Sequence, residues 1–284
     1  MGRRYDTITF LSDYGLVDEF VGVVKSVIRS IAPGVAVIDL THEIEPHDVR
    51  GASLTLARSA QYLAAGVVLA VVDPGVGTER RAVAIEVGGG ESVLVGPDNG
   101  LLAAAVSMVG GADRAVSLTN PQYQLAAPGP TFAGRDIFAP AAAHLCNGVE
   151  LSELGDPIDP NTLRPGLLPV TREEDGALVS EVLWVDRFGN AQLNVDPDEL
   201  DGWGDRIRLR FADDIRVAVR ADNYAALRTG EVGLVVDSYG LVSIAVDRGS
   251  AAGQLGLHPG DLVTLESLEA PLTLRARAEP EADR

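Results

Sequence analysis

The strongest constraint on this chain is a change of hydrophobic rhythm past its midpoint. Between Thr7 and Asn147, short continuous β-branched runs alternate with amphipathic stretches. Residues 7–11, 35–40 and 67–72 read as strands, and residues 82–87 and 92–95 as a hairpin about Gly88-Gly89-Gly90. Residues 17–31 carry Phe20, Val23, Val24, Val27 and Ile31 at helical spacing and end at Pro33-Gly34. Residues 48–62, 99–109 and 137–147 read as the other helices. Strands without polar alternation, separated by helices, are covered on both faces, which predicts an α/β layer with a largely parallel sheet.

From Leu163 the rhythm changes. Pro165, Pro169 and the polar stretch 171–176 read as a connection, and beyond it short strand-like runs are separated by turn residues. Strands are expected at 179–186, 191–195, 206–211, 215–221, 231–236, 242–246 and 262–265, which predicts a β-barrel. The expected organisation is an N-terminal α/β domain over 1–165, a linker over 166–176, a smaller C-terminal β-barrel domain over 177–278 and a tail over 279–284.

Composition then removes whole classes of function. A formal net charge of −18 opposes general nucleic-acid binding, which relies on cations that neutralise phosphates. It favours a cationic ligand instead. The single Cys146 excludes an intramolecular disulfide and a multi-cysteine metal site, and suits a reducing, cytoplasmic setting. No apolar run is long enough for a signal peptide or a membrane span. GxGxxG after the first strand, GxxxxGK[ST], HExxH and GxSxG are all absent, and His42, His47, His144 and His258 lack metal-ligand spacing.

What remains are polar residues at strand C-termini, where open α/β sheets bind ligands. Asp13 follows the first strand, His42 the second and Asp73 the third. An aspartate there can accept two hydrogen bonds from a vicinal diol such as a ribose, or it can cap the helix expected from Val17. His42 and His47 read as packing or capping residues. Asp73 and Arg80 flank the Pro74-Gly75 turn and can meet as a charge-assisted pair, whereas Arg81 alternates to the other face and is expected in solvent. Asp136 reads as the N-cap of the helix that follows it. Phe188-Gly189-Asn190 offers an aromatic face and an amide for a purine, or a hairpin turn with a buried phenylalanine. Asp237-Ser238-Tyr239-Gly240 has the same two readings.

In order along the chain stand Phe10-Leu11-Ser12-Asp13-Tyr14-Gly15, the VVDPGVGTERR run from Val71 to Arg81, Gly96-Pro97-Asp98-Asn99-Gly100, the Thr131 to Pro140 segment, and Asp186-Arg187-Phe188-Gly189-Asn190. Together these motifs resemble the S-adenosyl-L-methionine (SAM) hydroxide adenosyltransferases, or SAM hydrolases, relatives of fluorinase and chlorinase. The resemblance runs from about Thr7 to Leu265. It implies a homotrimer with sites between the N-terminal domain of one subunit and the C-terminal domain of the next. The implied reaction is attack of water on the ribose C5′ carbon of SAM to give adenosine and L-methionine, without cofactor or metal. Carried over by position, Asp13 holds the ribose hydroxyls, and Asn190 hydrogen-bonds adenine with Phe188 packed against it. Ser238, Ser243 and Val246 contact adenosine; Asp18, with Ser238 and Tyr239, faces the methionine part.

The family's Asp-Arg-His set matches Asp73 and Arg80, but where the motif reads TFHGRD this chain has Ala133 in place of histidine. Turnover is therefore expected to be reduced rather than abolished, since one positioning group in acid–base catalysis is worth about 10²–10⁴ in rate. Two rivals stand beside hydrolysis. One is a SAM or adenosine sensor without turnover, which Ala133 favours and Asp73 with Arg80 oppose. The other is halide transfer, in which the resembling enzymes have tyrosine at the Asp73 position. A carboxylate there repels an incoming halide.

Overall fold

In a computed structural model, residues 2–212 and 214–268 are described. The tail expected at 279–284, and residues 269–278 of the expected barrel domain, lie outside the described residues. The chain divides into two compact units, Met1–Leu168 and Pro169–Arg284.

The first unit contains β1 (Thr7–Ser12), α1 (Phe20–Ile31), β2 (Ala36–Thr41), α2 (Val49–Ser59), β3 (Val67–Val71), β4 (Ala82–Val87), β5 (Ser92–Pro97), α3 (Ala103–Met108), β6 (Arg114–Ser117), α4 (Ala139–Cys146) and β7 (Asp156–Ile158). Its sheet runs β2-β1-β3-β5-β4-β6-β7. The pairings β2–β1, β1–β3 and β3–β5 are parallel, and the remaining three are antiparallel. Five of the seven strands thus run in one direction, as expected of a largely parallel sheet, with an antiparallel margin. Strands β6 and β7 were not anticipated, being too short to carry a period of their own.

The unbroken apolar run of β3 follows from its two neighbours and two covered faces. Val67, Leu69 and Val71 enter the cluster formed with Val24 and Ile28 of α1 and Ala142 of α4. Val68, Ala70 and Val72 point oppositely, into the cluster with Leu56 of α2 and Ala105 of α3. Alternation still operates, but both sides are core.

Two helices begin later than their periodicity suggests. Val17 is 99% exposed and the chain bends through residues 16–19, so the apolar stripe of α1 finds a partner only from Phe20. Ahead of α3, Asn99 accepts a hydrogen bond from the Leu101 N–H (3.1 Å), and this local turn delays the helix to Ala103.

The second unit contains β8 (Arg172–Glu174), β9 (Ala177–Val185), β10 (Ala191–Leu193), β11 (Arg206–Phe211), β12 (Asp214–Arg220), β13 (Val232–Val236), β14 (Val242–Val246), α5 (Ala251–Leu255) and β15 (Leu262–Ser267). The order β10-β14-β13-β12-β11-β15-β9 closes through β9–β10 into a seven-stranded barrel, as the turn-separated runs predict. Closure leaves these strands without open edges. Strand β8 pairs with β9 from within the stretch read as linker. Val182, Leu193, Leu209, Ile244 and Val263 fill the interior. No helix among the described residues is long and apolar enough to cross a membrane.

Candidate active site

Strand register brings the first unit's candidate residues together. Ser12 of β1 lies opposite Val71 of β3, and Leu11 opposite Thr41 of β2. Asp13, His42 and Asp73 therefore leave neighbouring strands at the same, C-terminal edge. The Asp13 carboxylate accepts the backbone N–H of His47 (3.0 Å), so it does not cap α1. His47 adopts φ 69°, a left-handed conformation uncommon outside glycine.

Ser12, His42 and Asp39 have the look of a nucleophilic relay. Ser12 Oγ is 2.8 Å from His42 Nδ1, and His42 Nε2 is 3.1 Å from Asp39 Oδ1. Ser12 and His42 are both buried, however, and the His42 ring packs edge-on against Phe10 at 4.6 Å. They tie β1 to β2, in keeping with the packing role read from the sequence.

Asp73 and Arg80 form the expected pair. Arg80 Nε donates to Asp73 Oδ1 at 2.9 Å, and Nη2 donates to Oδ2. The arrangement is bidentate, with side chains only 6% and 11% exposed. The Arg80 guanidinium also lies 5.4 Å from the centre of the Phe138 ring. Burial pushes the Asp73 carboxyl above its ordinary value; Arg80 pulls it back only in part, and the Asp13 charge adds to the rise.

The GPDNG motif fixes both flanks of this pair. Asn99 Nδ2 donates to the carbonyl of Val72 (2.9 Å), directly before Asp73. Arg81, directly after Arg80, donates to Asp98 (2.8 Å) and to the Thr162 carbonyl (2.5 Å). Arg81 is thus not solvated as expected: its alternation turns it toward Asp98, which is buried. Neither Asn99 nor Asp98 was singled out as a site residue. Their signal was the fixed position of the motif after a strand neighbouring β3.

Ala133 is buried and heads a single π-helical turn, Gly134–Phe138, that runs into α4. Asp136 lies inside that turn, paired with Arg135 (2.6 and 3.0 Å), and is not an N-cap. Ala133, Arg80 and Asp136 line a cleft of about 570 Å³ with Thr78 and Pro130. Asp18 is exposed on the bend before α1.

Tyr14 was missed. Its ring sits edge-on or tilted to Phe10, Phe20 and Phe132, at 6.5, 5.6 and 5.7 Å. Burial raises its phenol's pKa, and the charges of Asp13, Asp73 and Asp136 add to the effect. It therefore stays protonated among three carboxylates.

In the second unit, Asp186 organises the Phe188–Asn190 turn. It accepts the N–H groups of Phe188 (2.9 Å) and Asn190 (2.8 Å) and the Asn190 side-chain amide (2.8 Å). With its nitrogen engaged, Asn190 keeps Oδ1 as an acceptor. Phe188 is 78% exposed, so of its two readings the buried turn residue does not hold and the outward aromatic face remains. Asp237 organises the other turn, accepting from Tyr239 N (2.8 Å), Gln192 Nε2 (2.7 Å) and Ser243 Oγ (2.9 Å). Ser243 and Val246 are buried, whereas Ser238 and Tyr239 are exposed. Burial raises the Tyr224 phenol, and the charges of Asp186 and Asp237 add to the effect.

Comparison with known proteins places this geometry in a context. Residues 8–155 match the family model for the SAM hydroxide adenosyltransferase N-terminal domain, and residues 180–264 the model for its C-terminal domain. A Salinispora tropica protein named (R)-S-adenosyl-L-methionine hydrolase is 44% identical over 254 residues, covering 89% of this chain and 95% of its own length. A Thermus thermophilus protein of the same name is 42% identical over 269 residues, covering 91% and 98%. Proteins named fluorinase match at 27–29% identity. The crystal structure of an uncharacterized conserved protein from Thermotoga maritima superposes with a TM-score of 0.84 at 35% identity, covering 91% of this chain and 99% of that one.

Proposed function

This chain belongs to the SAM hydroxide adenosyltransferase family, and on that premise we propose that it hydrolyses SAM to adenosine and L-methionine by attack of water on the ribose C5′ carbon. The observation that carries this reading is the bidentate Asp73–Arg80 pair at a strand C-terminus beside Asp13. In the reaction the water oxygen bonds to C5′ as the C5′–S bond breaks, and that bond's electron pair stays on the methionine sulfur. A sulfonium leaves as a neutral thioether, so no general acid is needed. The remaining task is to hold one water in line and receive its proton. Arg80 fixes the orientation of Asp73, and the raised affinity of Asp73 for a proton makes it a better acceptor than an ordinary carboxylate.

Asp13 takes the ribose hydroxyls in this reading, with Asn190 and Phe188 taking adenine. The Asn190 Oδ1 acceptor suits the exocyclic amine of adenine. Ser238, Tyr239 and Asp18 are assigned to adenosine and methionine contacts. Ser243 acts through Asp237, whose carboxylate it holds. The homotrimer and the cytoplasmic setting implied by the resemblance belong to this proposal; sedimentation of the purified protein checks the first.

Two measurements bear on these roles. Asp13→Ala is expected to weaken SAM binding by about tenfold to 10²-fold, the worth of hydrogen bonds to a charged acceptor, as read by calorimetry. Unchanged affinity contradicts the ribose assignment. The pH profile reports on Asp73: because its carboxyl is raised, kcat/KM is expected to fall on acidification at a higher pH than an unperturbed aspartate would give. Arg80→Met removes the one side chain that lowers this pKa, so the acid limb moves to still higher pH. A limb that stays in place in that variant contradicts Asp73 as the base.

Chromatography of SAM incubated with the protein tests the whole reading. Adenosine and methionine appearing in equal amounts support hydrolysis. SAM bound but unchanged leaves the sensor reading, which the alanine at position 133 favours. The halide reading is opposed by the carboxylate of Asp73 and by the lower identity to fluorinases.

A further inference from the structure

We propose that the hydroxyl of Tyr14 holds the attacking water, beside the position where Ala133 offers no polar group. The assignment rests on the hydrolase reading above and names the water site within it.

The geometry is specific. The phenol oxygen packs directly on the backbone of Gly134: a Cβ added there would lie 2.2 Å from Tyr14 Oη and 3.1 Å from Cζ. Gly134 follows Ala133 and opens the π-helical turn that also carries Asp136. The hydroxyl therefore stands against the same backbone that an imidazole at position 133 would extend from. Phe20 and Phe132 flank the ring, themselves 5.1 Å apart, so its direction is set by packing. The hydroxyl makes no hydrogen bond among the described residues, whereas the neighbouring polar groups are engaged. His42 is held by Ser12, Arg80 by Asp73 and the Arg81 carbonyl, and Asp136 by Arg135.

A tyrosine hydroxyl has one donor and two acceptor sites. Kept protonated and without a partner among the described residues, the hydroxyl has acceptor sites free to take one hydrogen of a water. Asp73 accepts the other. A water with both hydrogens so directed turns a lone pair outward, as displacement at C5′ requires. When the O–C5′ bond forms and the C5′–S bond breaks, the electron pair goes to sulfur and the water proton to Asp73. Tyr14 neither gains nor loses a proton, so its role is to bind and aim.

The test is a double-mutant cycle with kcat and KM read separately from adenosine release. Tyr14→Phe keeps the ring in its aromatic cluster. In the parent it is expected to lower kcat by about tenfold to 10²-fold, with KM changed by less than about threefold. In the Ala133→His background, where an imidazole can aim the water, the same change is expected to cost less than about threefold. Gly134→Ala, which displaces Oη, should resemble Tyr14→Phe in the parent. A structural role would cost the same in both backgrounds, and that result overturns the assignment, as does an unchanged kcat or a loss confined to KM. A parent protein that releases no adenosine fails the hydrolase reading itself, and Tyr14 then has no water to aim. Turnover in the parent with an indifferent Tyr14→Phe fails only the Tyr14 assignment.

Discussion

Asp73→Asn is expected to lower the turnover of SAM by about 10²–10⁴-fold, the usual worth of a positioned proton acceptor. Binding of SAM should change far less, because Asp13 and Asn190 remain. The substitution also has a structural cost. Asp73 and Arg80 are a nearly buried bidentate pair, and removing one charge leaves the other uncompensated, which costs about 3–5 kcal/mol in such settings. A fall in activity could then be blamed on unfolding. The double variant Asp73→Asn/Arg80→Met separates the two effects, since replacing both charges removes the orphaned cation. It is expected to recover most of the lost melting temperature and none of the lost turnover. Recovery of turnover together with stability would mean that the pair closes the loop and does no chemistry.

Ala133→His is expected to act in the opposite direction, raising kcat by about 10²-fold, near the lower end of what a general base or water-orienting group contributes. Ala133 heads the π-helical turn and lines the cleft shared with Arg80 and Asp136, so an imidazole has open volume to enter. The gain should be larger still when Tyr14→Phe is present, because the imidazole then replaces an absent partner. An unchanged kcat in the folded variant would mean that position 133 has no access to the reacting water in this chain.

Much of the fold was legible because its cause is local. The unbroken apolar run of β3 announced a strand covered on both faces, and Asp73 directly after it marked the edge where Asp13 and His42 also leave their strands. The spacing of Asp73 and Arg80 about Pro74-Gly75 was enough to anticipate a pair, since a tight turn brings its flanks together. What escaped depends on distant partners. Whether Arg81 faces solvent is decided by Asp98, which arrives from the end of β5. The start of α1 is decided by what covers Val17, and among the described residues nothing does. Tyr14 is the clearest case. In sequence it is an aromatic residue beside a turn glycine, and its meaning comes from Gly134, far along the chain, where the missing side chain makes room for a hydroxyl. Phe188 had two readings in the sequence, a purine-facing ring or a buried turn residue. The Asp186 carboxylate fixes a turn that projects the ring outward, which leaves the first.

The central claim is that water attacks the ribose carbon of SAM, and turnover in H₂¹⁸O addresses it directly. Mass spectrometry of the released adenosine should find one heavy oxygen in the 5′-hydroxyl, with an equal amount of unlabelled methionine. Adenosine without label, or SAM recovered intact after long incubation with protein to which it binds, would contradict the account.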